Sequence, residues 1–550
     1  MTKISFLKSS LLISFVCMFP SLFGQQNDTL QPSGSDPFEN RIEFLTEQTD
    51  SEIDFSEWTD DLKILANRPV NLNSNNEDEL RKLFFLNDQQ IANLLSYHQK
   101  FGNFASIYEL QVVEGFNESL IMQMLPYIAL SDPVSEKFSL KRAFKYGGSD
   151  MMLRYQRVIE QQAGFADVPD SLRQLFPSKY YLGSPDALYF RYTFSYKDKL
   201  QLGFVADKDA GETLFPTSDT LKKGFDYYSF HYYMKDIGKL KHLAIGDYHL
   251  QFGQGLTLWT GLAFNKTPAA IASRRRAPAV RPHASANEYS YFRGIAATLS
   301  LKTFDITGFY SNRNVDANFY PADTALETEA YFTSIIETGY HRTASEIADK
   351  NTVNQQVAGS HIAYNGQRLR MGLTGYHTQL NHAFSPQQSL YNSFEVNDKS
   401  STFLGIDYNY SYKHFVFFGE TAKQLNAGTA TVNGLSLSPD PRLSMSLIYR
   451  AYEKNYANQF AVAFGEGSKN SNEKGLYFGI NATPFKKVTL TAYSDFFRYN
   501  WLRYRVDAPS VGKEFSLQAI YSLGRKGEIT ARFRHIGSQQ NLNDENLPLN

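Results

Sequence analysis

The sequence predicts a multidomain α + β protein: a small all-α tandem unit followed by a large antiparallel transmembrane β-barrel. Three observations predict it. The stretch "ELRKLFFLNDQQIANLL" (Glu79–Leu95) returns thirty residues later as "ELQVVEGFNESLIMQML" (Glu109–Leu125), aligning Leu80 with Leu110, Leu83 with Val113, Asn87 with Asn117 and Ile91 with Ile121. Beyond residue 150 the apolar period switches from that of a helix to two. Aromatics are abundant, 35 Tyr and 43 Phe against 3 Trp, yet mean hydropathy is only −0.39. No helix-length apolar run follows the extreme N-terminus, which excludes a helical membrane protein but not a barrel, whose strands alternate and look mild by hydropathy.

Residues 1–24 read as a secretory signal, with Lys3 and Lys8 before an apolar run from Leu11 to Phe23 and Gly24 as the small residue at cleavage. The lone Cys17 lies inside that run, and the bulky Phe15 and Val16 before it disfavour a lipid anchor. The mature chain then has no cysteine for a disulfide or a thiolate metal site. Residues 25–65 form an acidic tether, with ten Asp/Glu between Asp36 and Lys63 against Arg41 and Lys63. The formal charge of the whole chain is −1, which implies no polyanionic partner.

Residues 66–130 carry the repeat. Ser74 with Glu77, and Ser106 with Glu109, have the spacing of capping boxes. The segment from Pro69 to Ile128 resembles the tandem helix-hairpin-helix domain of bacterial competence DNA-receptor proteins. That resemblance implies two hairpins whose Gly-hydrophobic-Gly turns present backbone N–H groups to a DNA phosphate. The turn positions here are Phe85 and Asn87 in the first hairpin, Gly115 and Asn117 in the second. Phe85 puts a large side chain where a phosphate needs open backbone. Residues 66–130 hold four basic residues (Arg68, Arg81, Lys82, Lys100) and seven acidic ones, 4 − 7 = −3, so the cations that would contact DNA are outnumbered.

The barrel is expected over 145–550. "LYFRYTFSY", "GIDYNYSYK" and "LSMSLIYRA" each alternate an apolar or aromatic face with a polar one. Short turns at 197–199, 237–239, 302–304, 365–367, 412–414, 453–455, 484–487 and 524–527 alternate with longer stretches near 262–287, 314–354, 381–400, 425–442 and 499–512. One strand near 150–161 and eight hairpins make about 17 visible strands. Bacterial single-chain barrels have even counts, so either a strand is uncounted or the sheet is incomplete and needs further strands. This half is similar to uncharacterised outer-membrane proteins that join a helix-hairpin-helix unit to a barrel, the stretches Gly246–Phe264 and Ser273–Gly294 carrying the likeness.

Arg274, Arg275, Arg276 and Arg281 form the densest charge cluster, an anion site on a loop or in the lumen. Gly253, Gly255 and Gly261 mark kinks or close backbone approach, or make room for Trp259. No catalytic, cofactor or metal motif stands out, and the glycine run from Phe464 to Gly467 lacks the Lys-Ser/Thr of a phosphate loop. The expectation is a non-enzymatic outer-membrane protein with its helical domain in the periplasm. It would serve transport or envelope assembly through docking of a periplasmic protein partner or gating. The alternatives are a DNA-uptake receptor and, third, an outer-membrane hydrolase.

Overall fold

The structure, a computed structural model, describes residues 65–541 apart from 67–68, 75–76, 81, 84–85, 87, 117, 131–137, 215–223, 262, 264–265, 267–273, 323–328, 396–397, 441, 486 and 524–526. The signal, nearly all of the tether, the Ser74–Glu77 cap and positions Arg68, Arg81, Phe85, Asn87 and Asn117 therefore lie wholly or partly outside the described residues.

Alternation from residue 148 onward produces strands of nine to thirteen residues, long enough to cross a bilayer when tilted. The first is β1 (Gly148–Arg157). Four hairpin strands follow: β2 (Asp186–Tyr196), β3 (Leu200–Lys208), β4 (Tyr227–Ile237) and β5 (Leu240–Gln251). The four-residue β6 (Ala279–Pro282) is inlaid against the upper end of β5. Next come β7 (Phe292–Leu301), β8 (Phe304–Val315), β9 (Val353–Asn365), β10 (Leu369–Leu380), β11 (Ser400–Tyr412) and β12 (Phe415–Gln424). The wall ends with β13 (Thr429–Asp440), β14 (Leu443–Tyr452), β15 (Glu473–Phe485), β16 (Val488–Tyr499), β17 (Ser510–Ser522) and β18 (Glu528–Ser538). Together they form a closed barrel whose consecutive strands pair antiparallel, with seventeen long strands and the short β6.

The seam of that ring differs from its other boundaries. Consecutive long strands are zipped in register, for example Gly148–Arg157 against Asp186–Ser195 and Gly512–Ser522 against Glu528–Ser538. The ring order sets β18 beside β1. An odd number of long strands makes those two run parallel, and no continuous register joins them among the described residues. Nine of the ten residues of β1 are exposed, so its inward side is open as well as its outward one. The seventeen long strands read from the sequence are thus present, and the ring closes with a short eighteenth rather than remaining incomplete.

One hairpin falls elsewhere than expected. The short turn predicted at 453–455 is instead the start of a long connection between β14 and β15, and the predicted loop 425–442 contains β13, joined to β14 by a tight turn. Asn433-Gly434 and Pro439 look like turn residues, but Gly434 sits where a Cβ would meet the ring of Phe418 at 2.3 Å. The glycine serves close packing inside a strand rather than a turn.

Outward positions carry the apolar belt: Ile245, Ile295, Leu404, Ile406, Leu447 and Phe478 are all exposed on the wall. A belt of this extent facing water would be a severe liability, whereas facing lipid it is the favourable arrangement. No described helix is long and apolar enough to cross a membrane.

Residues 65–130 pack as a small helical cluster with its own core. Its main helices are α1 (Glu77–Leu80), α2 (Asp88–Phe101) and α3 (Glu118–Met124). Val70–Asn71 and Ile128–Ala129 pair in parallel and bring its two ends together. The repeated positions meet in that core: Leu80 and Leu110, Leu83 and Val113, Ile91 and Ile121 are all buried. Ser106 caps the turn of 3-10 helix after it, and both bonds of its box with Glu109 form. The identification of this cluster as a tandem helix-hairpin-helix domain still rests on sequence resemblance. A short helix that periodicity did not reveal, α4 (Leu140–Tyr146), buries Ala143 against Phe194 and Tyr196 on the barrel's outer face and leaves Leu140, Phe144 and Tyr146 exposed.

Candidate functional site

A barrel of this strand number would leave a wide lumen unless something filled it. Here two connections fold inward. The first begins where β5 bends at Gly246, whose φ is +96° and whose Cβ would lie 2.2 Å from the Phe230 carbonyl oxygen. The chain then runs through Phe252–Thr260, with Leu256, Thr257 and Leu258 fully buried. The second is the connection after β14, from which Tyr456, Phe460, Ala461, Ala463 and Phe464 enter the same core.

The two inward segments hold one another. Trp259 N–H donates to the Phe460 carbonyl at 2.9 Å and Val462 N–H to that of Gly255 at 2.8 Å. Tyr456 Oη donates to the Leu256 carbonyl at 2.7 Å, and Asn458 Nδ2 to that of Thr257 at 2.8 Å. Inward wall residues Phe292, Phe309, Tyr376, Phe403, Phe418, Ile448 and Tyr477 complete an apolar core around them. A packed plug thus fills the side of the lumen bounded by β5 to β16.

Glu420 of β12 fastens this plug to the wall. Its buried carboxylate accepts the backbone N–H of Gln254 (2.6 Å), Leu256 (3.0 Å) and Thr257 (2.7 Å). Gly253 and Gly255, with φ of +58° and +83°, make the turn that aims these donors. A Cβ on Gly253 would approach Glu420 Oε2 to 2.6 Å, so close approach is what these glycines supply. Gly405 on β11 does the same from the wall, since a Cβ there would lie 1.8 Å from Thr257 Oγ1.

A buried ionic network makes a second anchor. Lys266 pairs with Asp495 (2.8 Å), Glu514 (2.5 Å) and Glu466. Arg450 forms a fork to Asp495 at 2.8 and 2.9 Å and also reaches Glu473. Arg534 and Tyr493 satisfy Glu514 at 2.8 and 2.6 Å. The glycine run near Phe464 is explained here, because Glu466 N–H and Gly467 N–H both donate to the Glu473 carboxylate. It is a turn closed by a wall carboxylate.

The four arginines of the sequence cluster occupy different places. Arg275 is buried with its guanidinium 5.2 Å over the Trp259 ring, and its N–H donates to Gln254 Oε1 at 3.0 Å. Arg276 donates to the Leu86 carbonyl of the helical cluster. Arg281 lies in β6 opposite His249, and Arg274 is half-buried. Of the four, Arg275 is the one that packs on the plug.

The helical cluster meets the barrel at its short-turn end. Lys235, near the turn after β4, pairs with Glu79 at 2.7 Å, both side chains largely buried. Burial alone would raise the Glu79 carboxyl, but Lys235 and Lys82 beside it hold it below its ordinary value. Lys82 is thereby engaged at 2.6 Å, while Lys100 is exposed at the end of α2. Gly115 has φ +87°, and its carbonyl accepts from Gln90 at 2.9 Å.

At the long-loop end, His341 ties two connections together. Its Nδ1 lies 2.5 Å from Asp226 and its Nε2 2.9 Å from Asp316, while Lys350 pairs with Asp226 at 2.6 Å. Burial would lower the imidazole, yet the two carboxylates outweigh it and push it up to about 10. Glu212 and Glu288 stand close enough to complete metal-ligand sets with this histidine. Both ring nitrogens are already in hydrogen bonds to carboxylates, so the arrangement as it stands is an ionic clamp. No sequence motif announced it, because its members are spread over more than a hundred residues.

No protein-family model and no curated protein matches the chain. Its fold is similar to solved outer-membrane barrels at low identity. OpdQ of Pseudomonas aeruginosa is 11% identical, covering 64% of this chain and 85% of that one, with a TM-score of 0.34. OccAB3 of Acinetobacter baumannii is 12% identical, covering 72% and 94%, with a TM-score of 0.33. The outer-membrane protein OprD of Pseudomonas aeruginosa is 11% identical, covering 65% and 83%, with a TM-score of 0.33. At such scores no residue role is transferred from them.

Proposed function

We propose that the protein is an outer-membrane barrel whose passage is obstructed by a lumenal plug and controlled from the periplasm by the helical unit. It would act in transport or envelope assembly, with that unit docking a periplasmic protein partner. The observation that carries this reading is the double junction of the helical cluster, Glu79 to the wall residue Lys235 and the Leu86 carbonyl to Arg276 of the plug-side segment. A force on the cluster would reach wall and plug at once. The lipid-facing belt supports the outer membrane, since closed barrels are the β architecture that leaves no backbone group unsatisfied in lipid. The sorting of short turns from long loops supports a periplasmic location for the short-turn end. The exposed β1, whose inward positions include Asp150, Arg154 and Gln156, supports a solvated path beside the plug. DNA uptake has no such support, because the cluster is net negative and Lys82 is held by Glu79.

The test uses full-length protein in planar bilayers. Glu79→Lys and Lys235→Glu should each increase open-channel conductance or its fluctuation, and the double reversal should recover part of the quiet state. Identical traces for all four proteins would exclude gating through this junction.

A further inference from the structure

The long-loop end carries a cavity of about 500 Å³, open to solvent, between the clamp loop, the segment 288–293 and the end of β8. That volume lies within the usual range of small-molecule sites, about 300–1,000 Å³. Its charges sort themselves into pairs with one left over. Asp226 and Asp316 are matched by His341 and Lys350. Asp247, just beneath, is matched by Arg293 in a fork of 2.6 and 2.8 Å. The remaining lining cation is Arg313 of β8. It is more than nine-tenths buried, and its Nε and Nη1 donate to no acceptor among the described residues. Its guanidinium lies 4.5 Å over the ring of Tyr291, a contact that positions the plane but satisfies none of its N–H groups.

Leaving the donors of a buried guanidinium unmet is costly, and such groups in native proteins call for a partner. Arginine's planar fork fits a carboxylate or phosphate. We propose that this cavity is a ligand site for a small oxyanion, with Arg313 taking the charged group. Burial pushes the carboxyl of Glu288, also in the lining, well above the ordinary range, which favours its neutral form. Tyr289 and Tyr291, on the connection that leads into β7, also line it. The site stands on its own lining and does not depend on the role of the helical unit.

The test is calorimetric titration of the full-length protein in detergent with three probes: D-glucuronate, inorganic phosphate and D-glucose. Glucuronate should bind saturably and glucose should not, with phosphate distinguishing a requirement for the ring from one for the anion alone. Arg313→Gln should weaken glucuronate binding by about tenfold or more, and Arg313→Lys, which keeps the charge but not the fork, should fall between. The unliganded melting temperature of each variant checks its folding. If a variant fails to fold, the contrast between glucuronate and glucose on the unaltered protein still decides. Absence of saturable binding by either anion, equal binding of glucose, or unchanged affinity in a folded Arg313→Gln protein would each overturn the proposal.

Discussion

The tightest point of the plug is Glu420, and replacing it by alanine gives a quantitative test of the plug's attachment. Three backbone N–H groups, from Gln254, Leu256 and Thr257, converge on that one carboxylate at 2.6 to 3.0 Å, in a place where every participant is buried. Hydrogen bonds to a charged acceptor contribute about 1.5–3 kcal/mol each, while the carboxylate's own desolvation offsets part of that sum. Leaving a buried donor without an acceptor costs about 1–3 kcal/mol per group, so freeing these three, with part of the cost relieved as the turn moves, comes to about 3–5 kcal/mol. The loss is local: the ladders of β12 with β11 and β13 stay intact, so the turn at 253–257 detaches while the wall holds. At a factor of ten per 1.4 kcal/mol, the detached state should become about a hundred to a few thousand times more populated. Hydrogen exchange followed by mass spectrometry should show faster exchange in peptides covering 252–260 and unchanged protection in β11 and β12. Glu420→Gln, which keeps an acceptor oxygen, should lose less. Unaltered exchange at 252–260 in a folded Glu420→Ala protein would refute the argument that this carboxylate seats the plug.

Other consequences are as direct. Gly405→Val should expel Thr257 from the wall and raise the same exchange by a steric rather than an electrostatic route, with a bilayer conductance increase as a second readout. Lys266→Met leaves Asp495, Glu514 and Glu466 short of a cation and should lower the thermal midpoint, a cost of about 3–5 kcal/mol. The His341 clamp has a defined pH window. Its imidazole is raised from 6.5 to about 10, so its contribution is complete below about 6.5 and is lost as pH rises through about 10. Asp226 and Asp316 are held below the ordinary carboxylate range, so the acid side of the window opens only below that range. Exchange in residues 336–351 across this pH range checks it, and His341→Gln should abolish the dependence. Phe144→Asp on α4 should weaken retention of the protein in liposomes without altering the barrel's heat-modifiable migration, since its ring is exposed beside the outer wall.

Much of the architecture was legible because it is written locally. Period two in "LYFRYTFSY" fixes which side chains of β2 face out, and the turn at 197–199 fixes its partner, so pairing needs no distant information. The duplicated apolar positions of 79–125 likewise had to converge, since two short helical units cannot each bury an apolar face alone. The loop expected over 425–442 proved to hold β13, and α4 went unread because seven residues are too few to display a period.

The site was far less legible. Glu420, Lys266, Arg313 and His341 look in the sequence like any polar residue on the inner face or loops of a water-filled barrel. Whether such a residue is solvated or spoken for depends on what enters the lumen beside it, and its partners lie up to some 250 residues away along the chain. Sequence determined the alternation, the number of long strands and the existence of a separate helical cluster, because each is set by residues within a few positions of one another. Only the tertiary structure decided that the lumen is plugged, that Arg275 packs on the plug while its neighbours go elsewhere, and that one buried guanidinium faces an open cavity. These depend on long-range closure, where burial turns an ordinary polar residue into one that must find a partner.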